Sequence, residues 1–296
     1  MKIKNLFASS LLALVLFASC SKSDGGGGTT PVPTPVAEKI TMDTSYGADA
    51  KQKMDIYLPA NRSTTNTKVL IYVHGGAWIA GDKSDLNGAG IDSIRKRFPD
   101  YAVFNVNYRL AALPATNVFP AQELDVKAAV EFIYSNRATY LVGDKFVMMG
   151  HSAGGHLALL YAYKYQTPVK IKAVIDFFGP TNMATMYSDY ASNPPGQLGI
   201  AALMSGTPAT NATLYTQSSP ITFATTAAAC PTIILQGGAD VTVYPTQSTT
   251  LKDKLTLATV VNQYVFYPLL PHGPWDAATN TDAFNKIQPF ITANVP

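Results

Sequence analysis

Short apolar runs bounded by turn residues alternate along the chain with stretches of helical spacing, and this alternation restricts the fold more than any other feature of the sequence. Val69 to Val73, Val103 to Val106, Phe146 to Met149, Ala173 to Phe177, Ile233 to Leu235 and Tyr264 to Tyr267 are continuously apolar or nearly so. Such runs mark strands covered on both faces. Between them Val126, Ala129, Val130 and Ile133 fall at i, i+3, i+4 and i+7, which gives a helix one apolar stripe to lay on a sheet. Further helices are predicted after Ser152, from about Thr246 to Leu257 and from about Asp276 to Thr292, with Asp276 as a cap. Ile40 to Thr44 and Met54 to Leu58 predict an opening hairpin of edge strands. Residues 179–229 are rich in Pro, Ser, Thr and Tyr with weak periodicity. The expected fold class is therefore α/β: a mostly parallel sheet with helices on both faces and an insertion over the sheet after the sixth strand.

A chain of 296 residues with 47% apolar and 14% charged side chains can bury a large core, and one domain is the expectation. There are 22 Lys and Arg against 19 Asp and Glu. Setting aside Lys2 and Lys4 in a removable leader leaves 20 against 19, and no basic stripe interleaved with aromatics remains to bind nucleic acid.

The leader is legible in Lys2 and Lys4 followed by the apolar run Leu11 to Ala18. That run is too short to span a membrane and has the form of a signal peptide. Phe17-Ala18-Ser19-Cys20 resembles the bacterial lipobox, which implies acylation of Cys20 and a lipid tether at an envelope membrane. Gly25 to Gly28 and prolines at 31, 33 and 35 read as a spacer. The expected organisation is thus a signal peptide at 1–19, a lipidated cysteine and linker at 20–36, and a catalytic domain at 37–296. Cys230, the other cysteine, reads as a small core residue.

Gly150-His151-Ser152-Ala153-Gly154-Gly155 sits after a predicted strand and before a predicted helix. A sharp strand-to-helix turn there holds a serine hydroxyl exposed at a helix N-terminus, the arrangement of a nucleophile. A serine needs a base, and the chain has four histidines. His74 belongs to a glycine turn, His151 adjoins the serine and should point away, and His156 lies four residues on in the helix. His272, just past the last predicted strand, remains. Asp240, after the run Ile233 to Leu235, gives the order Ser, Asp, His, with Asp176 as the rival acid. His74-Gly75-Gly76-Ala77-Trp78 follows another strand, and backbone N–H groups of Gly76, Ala77 and Ala153 are expected to face an oxyanion. Trp78, Met183, Met186, Tyr187 and Tyr190 are candidates for an apolar pocket, with Trp78 and Tyr187 the substrate-binding choices.

These segments, with Asn107-Tyr108-Arg109-Leu110, resemble the hormone-sensitive-lipase-like carboxylesterases, and especially the related bacterial feruloyl and acetyl esterases. The resemblance covers nearly everything from Ala37 onward. It implies the α/β-hydrolase fold, hydrolysis of small ester substrates with no cofactor or metal, and a supporting role under the oxyanion loop for Asn107 to Leu110, with Arg109 paired to Asp125. Acetate or ferulate on carbohydrate is the substrate class it suggests. An arylformamidase and a serine exopeptidase of the same fold are the alternatives within enzymes, and a non-catalytic surface binding protein on the same scaffold is the alternative outside them.

Overall fold

A computed structural model describes residues 35–86 and 88–296; the expected leader, Cys20 and most of the linker lie outside the described residues. The strands are β1 (Lys39–Ser45), β2 (Lys53–Leu58), β3 (Lys68–Val73), β4 (Tyr101–Val106), β5 (Phe146–His151), β6 (Ala173–Phe177), β7 (Thr232–Gly237) and β8 (Asn262–Tyr267). They form one sheet in the order β1-β2-β4-β3-β5-β6-β7-β8. β2 is antiparallel to both β1 and β4, and every other pair is parallel. The helices are α1 (Gly88–Arg97), α2 (Ala121–Ser135), α3 (Arg137–Tyr140), α4 (Ala153–Lys164), α5 (Met183–Asp189), α6 (Pro194–Leu203), α7 (Ala212–Gln217), α8 (Pro245–Leu257) and α9 (Ala277–Asn294).

The opening hairpin forms, but of its two strands only β1 lies at an edge of the sheet, the other edge being β8. β2 also pairs with β4, Met54 opposite Val106 and Tyr57 opposite Val103. Burial decides it: Met54 and Ile56 are enclosed in the core, whereas β1 leaves Ile40 and Met42 in water.

Alternate residues of the central strands enter two different cores, as the two-residue period of a strand requires. Val69, Ile71, Phe104, Met148 and Val174 pack with Val126 and Val130 of α2, Leu157 of α4 and Leu251 of α8. Leu70, Val103, Val147 and Ile175 pack with Ile91 and Ile94 of α1 and with Ile287 and Ile291 of α9. Each such aliphatic side chain contributes about 2 kcal/mol on full burial. α1 escapes sequence detection because Gly88 and Gly90 depress helix propensity; its two buried isoleucines hold it in place. The four expected helices appear as α2, α4, α8 and α9, and Asp276 accepts from the Thr279 N–H at 2.7 Å to cap the last.

The insertion between β6 and β7 contains α5, α6 and α7. Asn182 caps α5 and Asn193 caps α6, with Pro194 at the first helical position. These pieces are too short for periodicity to register in the sequence. Cys230 is a buried free thiol whose pKa burial pushes up to about 12, so it stays protonated.

Candidate active site

The carboxyl ends of the parallel strands gather the chemistry at one rim. β5 runs into Ser152, whose φ of 53° and ψ of −121° are unfavourable for any residue with a side chain, and such strain costs about 1–3 kcal/mol. Packing enforces it. The Ser152 N–H donates to the Phe177 carbonyl at 2.8 Å, and α4 starts at the next residue. Gly154 lets the turn sit against β3: a Cβ there would lie 2.1 Å from the Val73 carbonyl oxygen.

His272 lies in the loop after β8. Its Nε2 is 3.0 Å from the Ser152 Oγ and its Nδ1 is 2.7 Å from Asp240 Oδ2. Asp240, in the loop after β7, is buried. Its Oδ1 accepts from the N–H groups of Thr242 and Val243, both at 2.9 Å, and its Oδ2 also accepts from Gln236 Nε2 at 3.2 Å. A carboxylate so fully bonded is held in one orientation, and its bond to Nδ1 fixes the tautomer that leaves Nε2 free to face the serine. The rim of Phe178, 4.6 Å between ring centroids, braces the imidazole.

Asp176 does not join this chain. It is fully enclosed beneath the turn, Oδ1 accepting from the Gly179 N–H at 3.0 Å and Oδ2 without a partner. Burial raises its pKa to about 7. The other histidines are structural by their contacts. His74 donates from Nδ1 to the Gly75 carbonyl and stacks on Tyr108 at 4.3 Å. His151 turns its ring onto Phe177, 4.1 Å between centroids, and sits 3.2 Å from the Tyr72 hydroxyl. His156 accepts from the Trp78 indole and donates to the Ser218 carbonyl. Burial pushes the pKa of both His151 and His156 down to about 4, so each is neutral.

The loop after β3 passes over Ser152 through three successive residues of positive φ, Gly76 at 109°, Ala77 at 52° and Trp78 at 62°. At Gly76 a side chain is excluded, since its Cβ would fall 2.1 Å from the Ala80 carbonyl oxygen. Among the described residues the N–H groups of Gly76 and Ala77 have no hydrogen-bond partner, and both residues line the cleft with Ser152. Ala153 is the first residue of α4, so its N–H has no partner within the helix and the helix dipole adds positive potential there. The segment Asn107 to Ala111 supports the loop: Tyr108 donates to the His74 carbonyl, the Ala111 N–H donates to the Trp78 carbonyl, and Arg109 pairs with Asp125 at 2.7 Å.

Two cavities meet at Ser152. The larger, about 740 Å³, is lined by His272, Trp275, His151, Asp85 and Asn280. The smaller, about 260 Å³, runs under α6 and is lined by Met186, Tyr190, Ile200 and Leu203. Of the expected pocket residues, Trp78, Met186 and Tyr190 line the smaller cavity, Trp78 with its indole N–H committed to His156. Tyr187 lines neither, because α5 turns it edge-on against Tyr215 at 6.2 Å, and Met183 is buried in the core. The residues that α6 contributes went unread in the sequence, although Asn193 before two prolines is a helix-start signal that marks the element. No cluster of three His, Cys, Asp or Glu able to hold a metal exists among the described residues.

A model of the BD-FAE family matches residues 54–255. Esterase LipC of Mycobacterium tuberculosis (strain ATCC 25618 / H37Rv) is 32% identical over 116 residues, 39% of this chain and 28% of its own length. Matches to this and other curated relatives cover between 22% and 60% of their lengths. Among solved structures, a bifunctional GH43-CE protein of Bacteroides eggerthii superposes with a TM-score of 0.72 at 27% identity, over 87% of this chain and 38% of that one. A truncated form of a carbohydrate esterase from gut microbiota gives a TM-score of 0.72 at 25% identity, over 87% and 96%. The family match extends over more than half of the chain. The chain belongs to the BD-FAE family and has the α/β-hydrolase fold of the carboxylesterase-like hydrolases.

Proposed function

We propose that this protein is a serine carboxylic-ester hydrolase in which Ser152 is the nucleophile, His272 the general base and acid, and Asp240 the residue that orients the imidazole. The observation that carries the reading is the hydrogen-bonded line from Asp240 Oδ2 through His272 to Ser152 Oγ, at 2.7 and 3.0 Å. Ser152 Oγ attacks the ester carbonyl carbon while its proton passes to His272 Nε2. The new oxyanion is met by the N–H groups of Gly76, Ala77 and Ala153, each worth about 3 kcal/mol in the transition state. The C–O bond to the alcohol then breaks, His272 returns the proton to the leaving oxygen, and water releases the acid by the same steps in reverse.

Acetyl or feruloyl esters of carbohydrate are the proposed substrate class. One of the similar structures is named a carbohydrate esterase, and the larger cavity that opens at Ser152 is lined by an indole, a carboxylate and an amide. The proposed address is an envelope membrane, with residues 1–19 removed and Cys20 acylated. Its support is the basic and apolar leader, the Phe17 to Cys20 motif and the glycine and proline spacer. Buried methylenes of the lipid contribute about 0.8 kcal/mol each.

The test is a panel of acetyl, butyryl and feruloyl esters beside an aryl amide and a formanilide, run on the wild type and on Ser152→Ala. Ester turnover lost in the variant supports the proposal. Turnover of the amides alone points to the formamidase or exopeptidase, and no turnover of any member points to a binding protein.

A further inference from the structure

Which cavity takes which half of the ester follows from the proton. His272 must deliver it to the departing alcohol oxygen, and His272 lines the larger cavity but not the smaller. The alcohol therefore leaves through the larger cavity, and the acyl group lies in the smaller one under α6. We propose that this acyl site takes an apolar group much larger than acetyl, a medium alkyl chain or an aryl ring with its linker, and that Gly199 sets its depth. The inference rests on the esterase reading above and narrows its acyl range, with acetyl set aside.

Size and lining both argue for it. An apolar cavity of about 150 Å³ accommodates benzene, and this one measures about 260 Å³. At roughly 30 Å³ per heavy atom, the share a water molecule has in its liquid, it holds on the order of eight heavy atoms. No residue lining it is charged, and the hydroxyl of Tyr190 already donates to the Thr242 carbonyl at 2.9 Å. An acetyl group would leave most of this apolar wall without a partner.

α6 builds the far wall with one face. Gly196, Gly199, Ile200 and Leu203 stand at i, i+3, i+4 and i+7 and all line the cavity, while Leu198 on the opposite side is 69% exposed. The two glycines differ. A Cβ at Gly196 would lie 2.5 Å from the Tyr190 ring, so packing alone demands glycine there. A Cβ at Gly199 meets no atom within 4 Å, and its φ is not positive. Glycine weakens a helix interior relative to alanine, and at position 199 neither backbone conformation nor a neighbour requires it. What its absent side chain leaves is room in the cavity.

The experiment compares 4-nitrophenyl acetate with 4-nitrophenyl hexanoate, which share one alcohol and differ only in the acyl group. The wild type is expected to favour hexanoate in kcat/KM by at least about tenfold, each buried methylene being worth about fourfold. Gly199→Leu should fold with an undiminished melting temperature and lower the hexanoate-to-acetate ratio by at least about tenfold. Gly199→Ala, which adds a single methyl, should lower it about threefold. A wild type that prefers acetate, or a ratio that neither variant moves, overturns the acyl assignment and leaves the esterase reading standing. A wild type that cleaves neither ester overturns both.

Discussion

The buried carboxylate of Asp125 holds Arg109 three ways, accepting from its backbone N–H at 2.8 Å, its Nε at 2.9 Å and its Nη2 at 2.7 Å. The same carboxylate accepts from Gln52 at 2.7 Å. Arg109 sits two residues before Ala111, whose N–H supports the Trp78 carbonyl. A salt bridge on α2 thus fixes the platform beneath the glycine loop.

Removing that carboxylate leaves the amide of Gln52 and the N–H of Arg109 without an acceptor. Asp125→Ala is expected to lower the unfolding free energy by about 3 kcal/mol in urea titration, the lower end for breaking a buried pair because the guanidinium is partly exposed. The kcat on an ester should fall more than KM rises, since the loss acts through the loop. An unchanged urea midpoint would remove the pair from the architecture of the site.

Asp240 and Asp176 separate by mutation. Asp240→Asn should reduce kcat on the order of ten-thousandfold by permitting the wrong tautomer of His272. Asp176→Asn should stay within about tenfold of wild type, because Asp176 does not touch the imidazole. Equal losses in the two variants would mean that the acid has been misassigned.

Asp176 also carries a pH signature. Its folded pKa, raised to about 7 by burial, exceeds the ordinary value of 3.8, so the folded chain holds the proton more tightly than the unfolded chain. The contribution to stability is full below the unfolded pKa and is lost as pH rises through the folded one, a loss of a few kcal/mol. Thermal melts at pH 4 should therefore bring wild type and Asp176→Asn together. At pH 8 the variant should be the more stable, and a constant gap across that range would contradict the assignment.

Gly154→Ala tests the turn itself. The added methyl would fall 2.1 Å from the Val73 carbonyl oxygen, backbone that cannot move without disturbing β3. Destabilisation of about 3 kcal/mol is expected by calorimetry. A folded variant with wild-type melting would show that the turn relaxes more freely than its packing suggests.

The address is tested by fractionation. Cys20→Ala should leave ester turnover of the extracted enzyme unchanged while moving it from the membrane to the soluble fraction. Retention at the membrane would exclude acylation of Cys20 as the tether.

The order of strands and helices was legible because burial on two faces writes itself into continuous apolar runs, as in Val69 to Val73, and burial on one stripe into helical spacing, as in Val126 to Ile133. The glycines around Ser152 were legible for a similar reason: steric exclusion leaves only one residue type. Side chains that meet through space were chosen from the sequence by elimination and chain order, and their distances belong to the fold. That Asp240 rather than Asp176 reaches His272 depends on how far the loops after β7 and β8 extend over the rim. That Tyr187 turns from the cavity while Gly199 opens into it depends on the setting of short helices capped by Asn182 and Asn193. Local periodicity records which faces are covered, and only the packed chain decides what lies across a gap.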